Sequence, residues 1–253
     1  MGIVETGRVT VQREVGPQMW QMQLTLPQIA ATIRPGQFIH LRRGSGQDPL
    51  LRRPFSPSRV DPVTGTVELI YRVVGRGTED MTYWQAGTAV DVLGPLGSTF
   101  TLGGRILMVG GGVGIAPLMY AAQNCAPDTV TALIGGRSRE EMFWADLFPD
   151  TVTDIRIATD DGSVGHHGYV PELVPALLEG GEYTRVLTCG PPVMMRAVAA
   201  LAEAAGIPCD VSLERRMGCG TGGCLACVCD RRRGGHAKVC VDGPVFDSRE
   251  VRL

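Results

Sequence analysis

Net charge is nearly absent from this chain of 253 residues, in which 24 lysines and arginines face 26 aspartates and glutamates for a formal charge of −2. With an isoelectric point near 6.1 the surface offers no broad basic field, so neither nucleic acid nor an anionic membrane is expected as a partner. No secretory leader is expected, because the opening Met-Gly-Ile-Val-Glu-Thr-Gly-Arg has no apolar core segment. No membrane span is expected either. The uncharged run from Ile106 to Cys125 holds four glycines and a proline in the order strand, turn, helix, which reads as a buried element. There is no internal repeat and no low-complexity tract. These absences make a cytoplasmic protein the expectation, and in that reducing compartment a disulfide framework is not expected.

Cysteine, by contrast, is plentiful, with eight in all. Cys219, Cys224, Cys227 and Cys240 are spaced Cys-x4-Cys-x2-Cys-x12-Cys, the ligand pattern of a plant-type [2Fe-2S] cluster. Three of them share the loop Cys-Gly-Thr-Gly-Gly-Cys-Leu-Ala-Cys, whose glycines let the backbone wrap an inorganic core and aim N–H groups at its sulfurs. The fourth closes the cage from a separate segment. Zinc is the competing reading, since Cys224 and Cys227 form a knuckle and His236 is near, but zinc sites usually draw on two such knuckles. Cys229, two residues past a ligand, is expected to point away. Cys125 and Cys209 sit in apolar settings as packing residues, and Cys189 is left open. The basic run Arg231-Arg232-Arg233 is either a solvated turn or a patch that steers an acidic partner.

Two textures divide the rest. From Val4 to Val92, short β-branched runs (Arg8 to Val15, Met19 to Leu26, Phe38 to Leu41, Val67 to Val74, Thr88 to Leu93) alternate with Gly, Pro and Asp clusters, which predicts an antiparallel barrel. Beyond Gly103-Gly104, strands at Arg105 to Val109, Val130 to Ile134, Asp154 to Ala158, Arg185 to Thr188 and Asp210 to Leu213 alternate with helices. The helices are one after Gly114 and others at Arg139 to Leu147, Val170 to Leu178 and Pro192 to Ala205, the pattern of a parallel sheet with crossovers. The break falls near 98–104. The expected domains are 1–100, 101–211 and a C-terminal lobe, 212–253.

The first strand of the second domain runs into Gly110-Gly111-Gly112-Val113-Gly114-Ile115-Ala116-Pro117, where backbone N–H groups and a helix N-terminus favour a pyrophosphate. The strict Gly-x-Gly-x-x-Gly pattern fails at Pro117, and a tight β–α turn explains the glycines equally well. About twenty residues on, where an NAD site usually shows an acid, the chain reads Gly136-Arg137-Ser138-Arg139. Either arginine could touch a 2′-phosphate, or Arg137 could face the diphosphate or adenosine of NAD, so the choice between NAD and NADP stays open. In the first domain, Leu51-Arg52-Arg53-Pro54-Phe55-Ser56 places a guanidinium three residues before a hydroxyl, a pair able to grip a diphosphate and a flavin ring nitrogen. Tyr71-Arg72-Val73-Val74-Gly75-Arg76-Gly77-Thr78 adds a glycine-flanked turn after a strand.

Taken in order, Arg53-Pro54-Phe55-Ser56, Gly75-Arg76-Gly77-Thr78, Gly110 to Pro117 and Cys189-Gly190-Pro191 resemble the ferredoxin-NADP reductase superfamily. The tail, from Ser212-Leu213-Glu214-Arg215-Arg216-Met217-Gly218-Cys219-Gly220 through Cys240 to Phe246, resembles the electron-transfer subunits of dihydroorotate dehydrogenase B, as does Thr159 to Gly165. That resemblance implies an FAD-binding barrel, an NAD-binding α/β domain and a small [2Fe-2S] lobe. It implies that Arg53, Pro54, Phe55, Ser56, Tyr71, Arg72, Val73, Gly77 and Thr78 contact FAD. It also implies that Gly112 and Gly114 face NAD, with Cys189 and Gly190 near its ring. Electrons would pass between the cluster and an FMN on a separate dihydroorotate dehydrogenase catalytic subunit, in a heterotetramer of two plus two serving pyrimidine biosynthesis. Pro57 and the bulky Phe55 depart from the family's usual residues at those positions. The small subunits of NAD-dependent ferredoxin:NADP oxidoreductases and sulfide dehydrogenases share the layout, and a carrier or sensor without nucleotide is the remaining alternative.

Overall fold

A computed structural model describes residues 2–44, 50–180 and 182–253. Seven antiparallel strands form the first sheet: β1 (Ile3–Gly16), β2 (Met19–Thr25), β3 (Phe38–Arg43), β4 (Arg53–Phe55), β5 (Arg59–Asp61), β6 (Thr66–Arg72) and β7 (Ala89–Leu96), in the order β4-β3-β7-β1-β2-β6-β5. The two edge strands are separated in sequence only by Ser56, Pro57 and Ser58, which span at most about 14 Å. The sheet therefore has to roll until its edges meet, and a barrel results. Its interior is filled by alternate residues such as Val9, Met22, Leu24, Ile39, Leu41, Leu69 and Val92. Two short helices accompany it, α1 (Pro27–Ala30) and α2 (Arg76–Thr82).

The second sheet holds β8 (Ile106–Gly111), β9 (Val130–Gly136), β10 (Asp154–Thr159), β11 (His166–His167), β12 (Arg185–Cys189) and β13 (Cys209–Ser212), all parallel, in the order β11-β10-β9-β8-β12-β13. Both faces are covered. Ile106 and Met108 pack with α3 (Ile115–Gln123) on one side, while Leu107 and Val109 pack with α4 (Val174–Gly180) and α5 (Pro192–Ala204) on the other. Burial on both faces is why these strands read as unbroken apolar runs.

The last segment forms a hairpin, β14 (Val228–Asp230) with β15 (His236–Lys238), and then returns as β16 (Val245–Asp247), which joins the second sheet antiparallel to β13. The lobe assigned to 212–253 thus contributes a strand to its neighbour. Barrel and second domain are locked by polar contacts. Gln123 Nε2 donates to the Val60 carbonyl (2.7 Å) while its Oε1 accepts from the Val60 N–H (3.1 Å), and Tyr120 Oη donates to the Ile33 carbonyl (2.9 Å).

The helix expected over Arg139 to Leu147 is instead two 3-10 turns, Arg139–Glu141 and Phe143–Leu147. Tertiary packing overrides propensity there. Glu141 folds back to accept from the Arg137 N–H (2.9 Å), and Phe143 stacks on Trp144 at 4.7 Å against a barrel surface where a Cβ on Gly16 would strike the Phe143 ring at 2.7 Å. The stretch from Val170 starts as a 3-10 turn, Val170–Leu173, because Pro171 and Pro175 remove two amide donors, and becomes α-helical only from Val174.

Trp144 is among the largest fully buried side chains and belongs to the core that joins α3 to Met19 and Ile70 of the barrel. Trp144→Ala is expected to cost about 3–5 kcal/mol, read as a lower urea midpoint; a midpoint unchanged from the parent protein would contradict this packing.

Candidate functional site

A cavity of about 300 Å³ opens where barrel, parallel sheet and lobe meet. Arg53, Pro54, Phe55 and Ser56 form one wall; Tyr71, Arg72 and Thr78 form another. Cys189 enters from the end of β12, Val113, Ala116 and Pro117 from the turn after β8 and the start of α3, and Phe38, Ser212, Glu214, Arg215, Met217 and Pro244 are among the other lining residues. Residues far apart in sequence are thereby gathered around one space large enough for the ring of an organic cofactor.

Local geometry fixes the barrel-side groups. Arg53 Nη1 donates to the Leu51 carbonyl (2.5 Å), and a Cβ on Gly77 would overlap its guanidinium, so only glycine at 77 lets Arg53 lie across the start of α2. Thr78 Oγ1 accepts from the N–H groups of Val74 (2.9 Å) and Gly75 (3.2 Å) and donates to the Gly75 carbonyl (2.9 Å), holding the turn that precedes that helix. Tyr71 Oη accepts from Gln12 Nε2 (2.7 Å), and burial pushes its phenol up to about 12, which keeps it neutral. Its ring meets Phe55 edge-on at 5.8 Å. Val73 does not line the cavity; its N–H is engaged by the Gln18 carbonyl (2.9 Å) and it packs against the barrel core. Arg72 reaches Glu141 of the second domain at 3.5 Å. Burial pushes the Glu141 carboxyl up, but hydrogen bonds from the Arg137 side chain and backbone more than offset it and hold the group below its usual range.

On the sheet side, α3 follows β8 while β12 pairs beside it, so the crevice at their carboxyl ends is a topological switch point, the place where doubly wound sheets take ligands. Gly112 and Gly114 lie at the end of β8, and Cys189 and Gly190 at the end of β12. A Cβ on Gly114 would sit 2.5 Å from the Cys189 carbonyl carbon and 2.6 Å from the Gly190 nitrogen, so this glycine lets the two turns touch. Gly112, at φ +56°, has open space above it. The Cys189 thiol is pushed well above its ordinary range by burial, with the Glu214 charge adding to the effect. Glu214 itself opens to the cavity but is crowded by protein on its other sides, and that burial raises its carboxyl.

The four ligand-type cysteines stand as two pairs. Cys219 Sγ accepts from the N–H groups of Thr221 and Cys224, both at 3.4 Å, and those bonds bring its thiol down to about 6. Cys227 Sγ accepts from the Cys240 N–H at 3.4 Å, and burial pushes the Cys240 thiol up to about 12. Gly220 (φ +72°), Gly222 (φ +83°) and Leu225 (φ +60°) supply the left-handed turns of the loop. Among the described residues no three His, Cys, Asp or Glu side chains converge on a single metal ion. Two thiol pairs wrapped in N–H donors instead suit a two-iron core that takes two thiolates per iron. His236 is turned away, with Nδ1 3.0 Å from Asp230.

Contacts within the chain bear on several of the open alternatives. Arg232 forks onto Glu203 at 3.0 and 2.9 Å and Arg231 lies 3.7 Å from Glu250, so two arginines of the basic run have acidic neighbours within the chain. Arg137 is held by Glu141 through Nε (2.7 Å) and Nη2 (2.5 Å), and Arg139 Nη2 donates to the Ser163 carbonyl (2.7 Å). Cys229 packs in the core beside Ala237 and Val251. The lining residues Phe38, Ser212, Glu214, Met217 and Pro244 went unassigned in the sequence. Glu214 and Met217 lay in a motif already singled out, whereas Phe38 carried no signal beyond that of a core strand.

Comparison with known proteins agrees with this geometry. Residues 214–252 match the iron-sulfur cluster binding domain of dihydroorotate dehydrogenase B, residues 108–200 an oxidoreductase NAD-binding domain, and residues 6–100 an oxidoreductase FAD-binding domain. The electron transfer subunit of dihydroorotate dehydrogenase B (NAD(+)) from Desulforamulus reducens is 38% identical, covering 99% of both chains. That from Geobacillus thermodenitrificans is 39% identical over 97% of this chain and 98% of its own. Among solved structures, a chain of an NADH-dependent reduced ferredoxin-NADP oxidoreductase studied for flavin-based electron bifurcation superposes with a TM-score of 0.86 at 29% identity, covering 100% of this chain and 91% of that one.

Thiol accessibility follows from the burial pattern. With iron removed anaerobically, Cys219 and Cys224 are expected to take iodoacetamide first at pH 7, while Cys189 and Cys209, buried with raised thiols, stay unmodified until the fold opens. Peptide mass mapping reads the order, and early alkylation of Cys189 would contradict it.

Proposed function

The chain belongs to the family of dihydroorotate dehydrogenase B electron-transfer subunits, and we propose that its central cavity seats a flavin midway between a nicotinamide site and the four C-terminal thiols. One observation carries this reading. The same cavity is walled by Cys189 from the switch point and by Phe38 and Met217, which pack in the core that contains Cys227 and Cys240.

In this arrangement Arg53 pairs with the flavin diphosphate, with Gly77 and Thr78 shaping the turn beneath it, and Ser56 offers its hydroxyl to the ring edge. Pro54, Phe55, Tyr71 and Arg72 line the flavin's bed, and Val73 supports the rim. Gly112 and Gly114 let the NAD pyrophosphate approach the backbone, and Cys189 with Gly190 borders the nicotinamide. Cys219 with Cys224 and Cys227 with Cys240 hold the two irons. When bound, FAD trades a hydride with the nicotinamide and single electrons with the cluster, converting two-electron into one-electron chemistry. Because Arg137 and Arg139 are both engaged within the chain, a 2′-phosphate gains little here, and NADH is favoured over NADPH.

The partner is an FMN-containing catalytic subunit that interconverts dihydroorotate and orotate for pyrimidine biosynthesis, in a complex of two plus two. The reducing cytoplasm fits its eight free cysteines. Among the described residues no helix is long and apolar enough to cross a membrane. The structural likeness to the NADH-dependent ferredoxin-NADP oxidoreductase chain favours a second reading in which the same relay serves a different large subunit.

Reconstitution separates the two. Mixed with an FMN-containing dihydroorotate-oxidising subunit, the holoprotein is expected to support dihydroorotate-driven reduction of NAD, and failure to couple would sink the first reading. Cys224→Ser is expected to lose the cluster and at least ~100-fold of this coupled rate, since even an outer-shell partner of a metal is worth about 10–100-fold, while NADH oxidation by an artificial acceptor persists. Joint loss of both activities would show that lobe and flavin domain cannot be uncoupled.

A further inference from the structure

Among the described residues four buried side-chain nitrogen or oxygen atoms have no hydrogen-bond partner, and two of them are the ring nitrogens of His40. The side chain is 1% exposed. Leaving an imidazole N–H unpaired in a dry interior is costly, so a ring held this way calls for an acceptor that closes in under working conditions.

Its position indicates which acceptor. β3 is buried on both faces: Ile39 and Leu41 fill the barrel, whereas Phe38 and His40 face outward under the lobe. Phe38 lines the cavity and packs in the core that contains Cys227 and Cys240. Two residues on, His40 lies against Gly220 of the cysteine loop, where a Cβ would sit 2.6 Å from Nδ1 and 3.4 Å from Cε1. A glycine at 220 is therefore required both by its φ of +72° and by the ring. Burial lowers the imidazole's affinity for a proton, and the backbone groups that oppose it are those of Arg52 on the barrel side and Cys219 on the lobe side, both close to the ring but neither within hydrogen-bond geometry.

We propose that His40 is a positioning residue that ties the cysteine loop to the flavin barrel, its ring N–H engaging the Cys219 carbonyl when the cluster is in place. The inference rests on the cluster reading given above. A donor dipole anchored on the barrel and aimed at a ligand residue does two things. It fixes the loop relative to the cavity, and it turns its positive end toward the cluster, which favours the more negative, reduced form. Substituting the ring by an apolar side chain therefore moves the cluster potential downward and alters the cluster's magnetic signature, and leaves the flavin couple in place.

The test uses the holoprotein isolated without oxygen, as wild type, His40→Leu and His40→Gln, each titrated with dithionite in the presence of mediators and followed by EPR and flavin absorbance. The Leu protein is expected to show a cluster midpoint displaced to lower potential with shifted g-values and an unmoved flavin midpoint, and the Gln protein, which still offers an N–H, to return toward wild type. Should the Leu protein not fold, His40→Met makes the same comparison. Superimposable cluster titrations would overturn the proposal, as would a Gln protein displaced as far as the apolar one, or flavin and cluster midpoints shifting together. A wild-type protein with no [2Fe-2S] signal removes the underlying cluster reading itself, and is recognised before any substitution is compared.

Discussion

The placement of the four thiols relative to the cavity depends on one edge strand. β16 adds antiparallel to β13, and its entry is pinned by the end of the barrel: the Ser98 N–H donates to the Gly243 carbonyl (2.6 Å), Ser98 Oγ donates to the Val245 carbonyl (2.8 Å), and the Val245 N–H donates back to that hydroxyl (3.0 Å). Gly97 completes the joint, since a Cβ there would meet Pro244 at 2.5 Å. Three parts of the chain that could have been beads on a string are thereby one body. Each of these bonds is worth only about 1 kcal/mol net, but together they fix a register, and register decides where the cysteine loop falls.

That constraint explains why the cavity has no single owner. The barrel supplies the Arg53 and Arg72 guanidinium groups, the Ser56 hydroxyl and aromatic walls; the parallel-sheet domain supplies the buried Cys189 thiol with Val113, Ala116 and Pro117; the connection into the lobe supplies Glu214, Arg215 and Met217. Electron transfer between cofactors needs separation and orientation held constant rather than a mobile catalytic group. Consistent with this, three acidic groups in the walls are pushed toward their neutral forms: Tyr71 and Cys189 by burial, Glu214 by the crowding around it. The thiol of Cys219, one of the four proposed to hold iron, is drawn instead toward its charged form, where backbone N–H groups converge.

Legibility in the sequence followed the range of the interactions. The Cys-x4-Cys-x2-Cys spacing, the apolar strands and the Gly110 to Gly114 turn are local, and each was readable. α2 was read as a turn because Gly75 and Gly77 depress helix propensity, although Gly77 is there to make room for Arg53. β16 is three residues long and exists only because β13 offers it an edge. The helix expected at Arg139 to Leu147 broke into tighter turns for a similar reason, with Glu141 and Phe143 drawn toward partners across a domain boundary. Phe38 looks in the sequence like an ordinary core-strand residue because its role is set by what lies opposite it.

The central claim is that nicotinamide, flavin and cluster sites are connected through one cavity. Stepwise anaerobic addition of NADH to the as-isolated protein, recorded by optical absorbance and low-temperature EPR on the same sample, tests it most directly. The account predicts bleaching of a flavin band together with growth of a [2Fe-2S] signal. A protein that carries zinc in place of iron, or a flavin that bleaches while the iron stays oxidised, would contradict it.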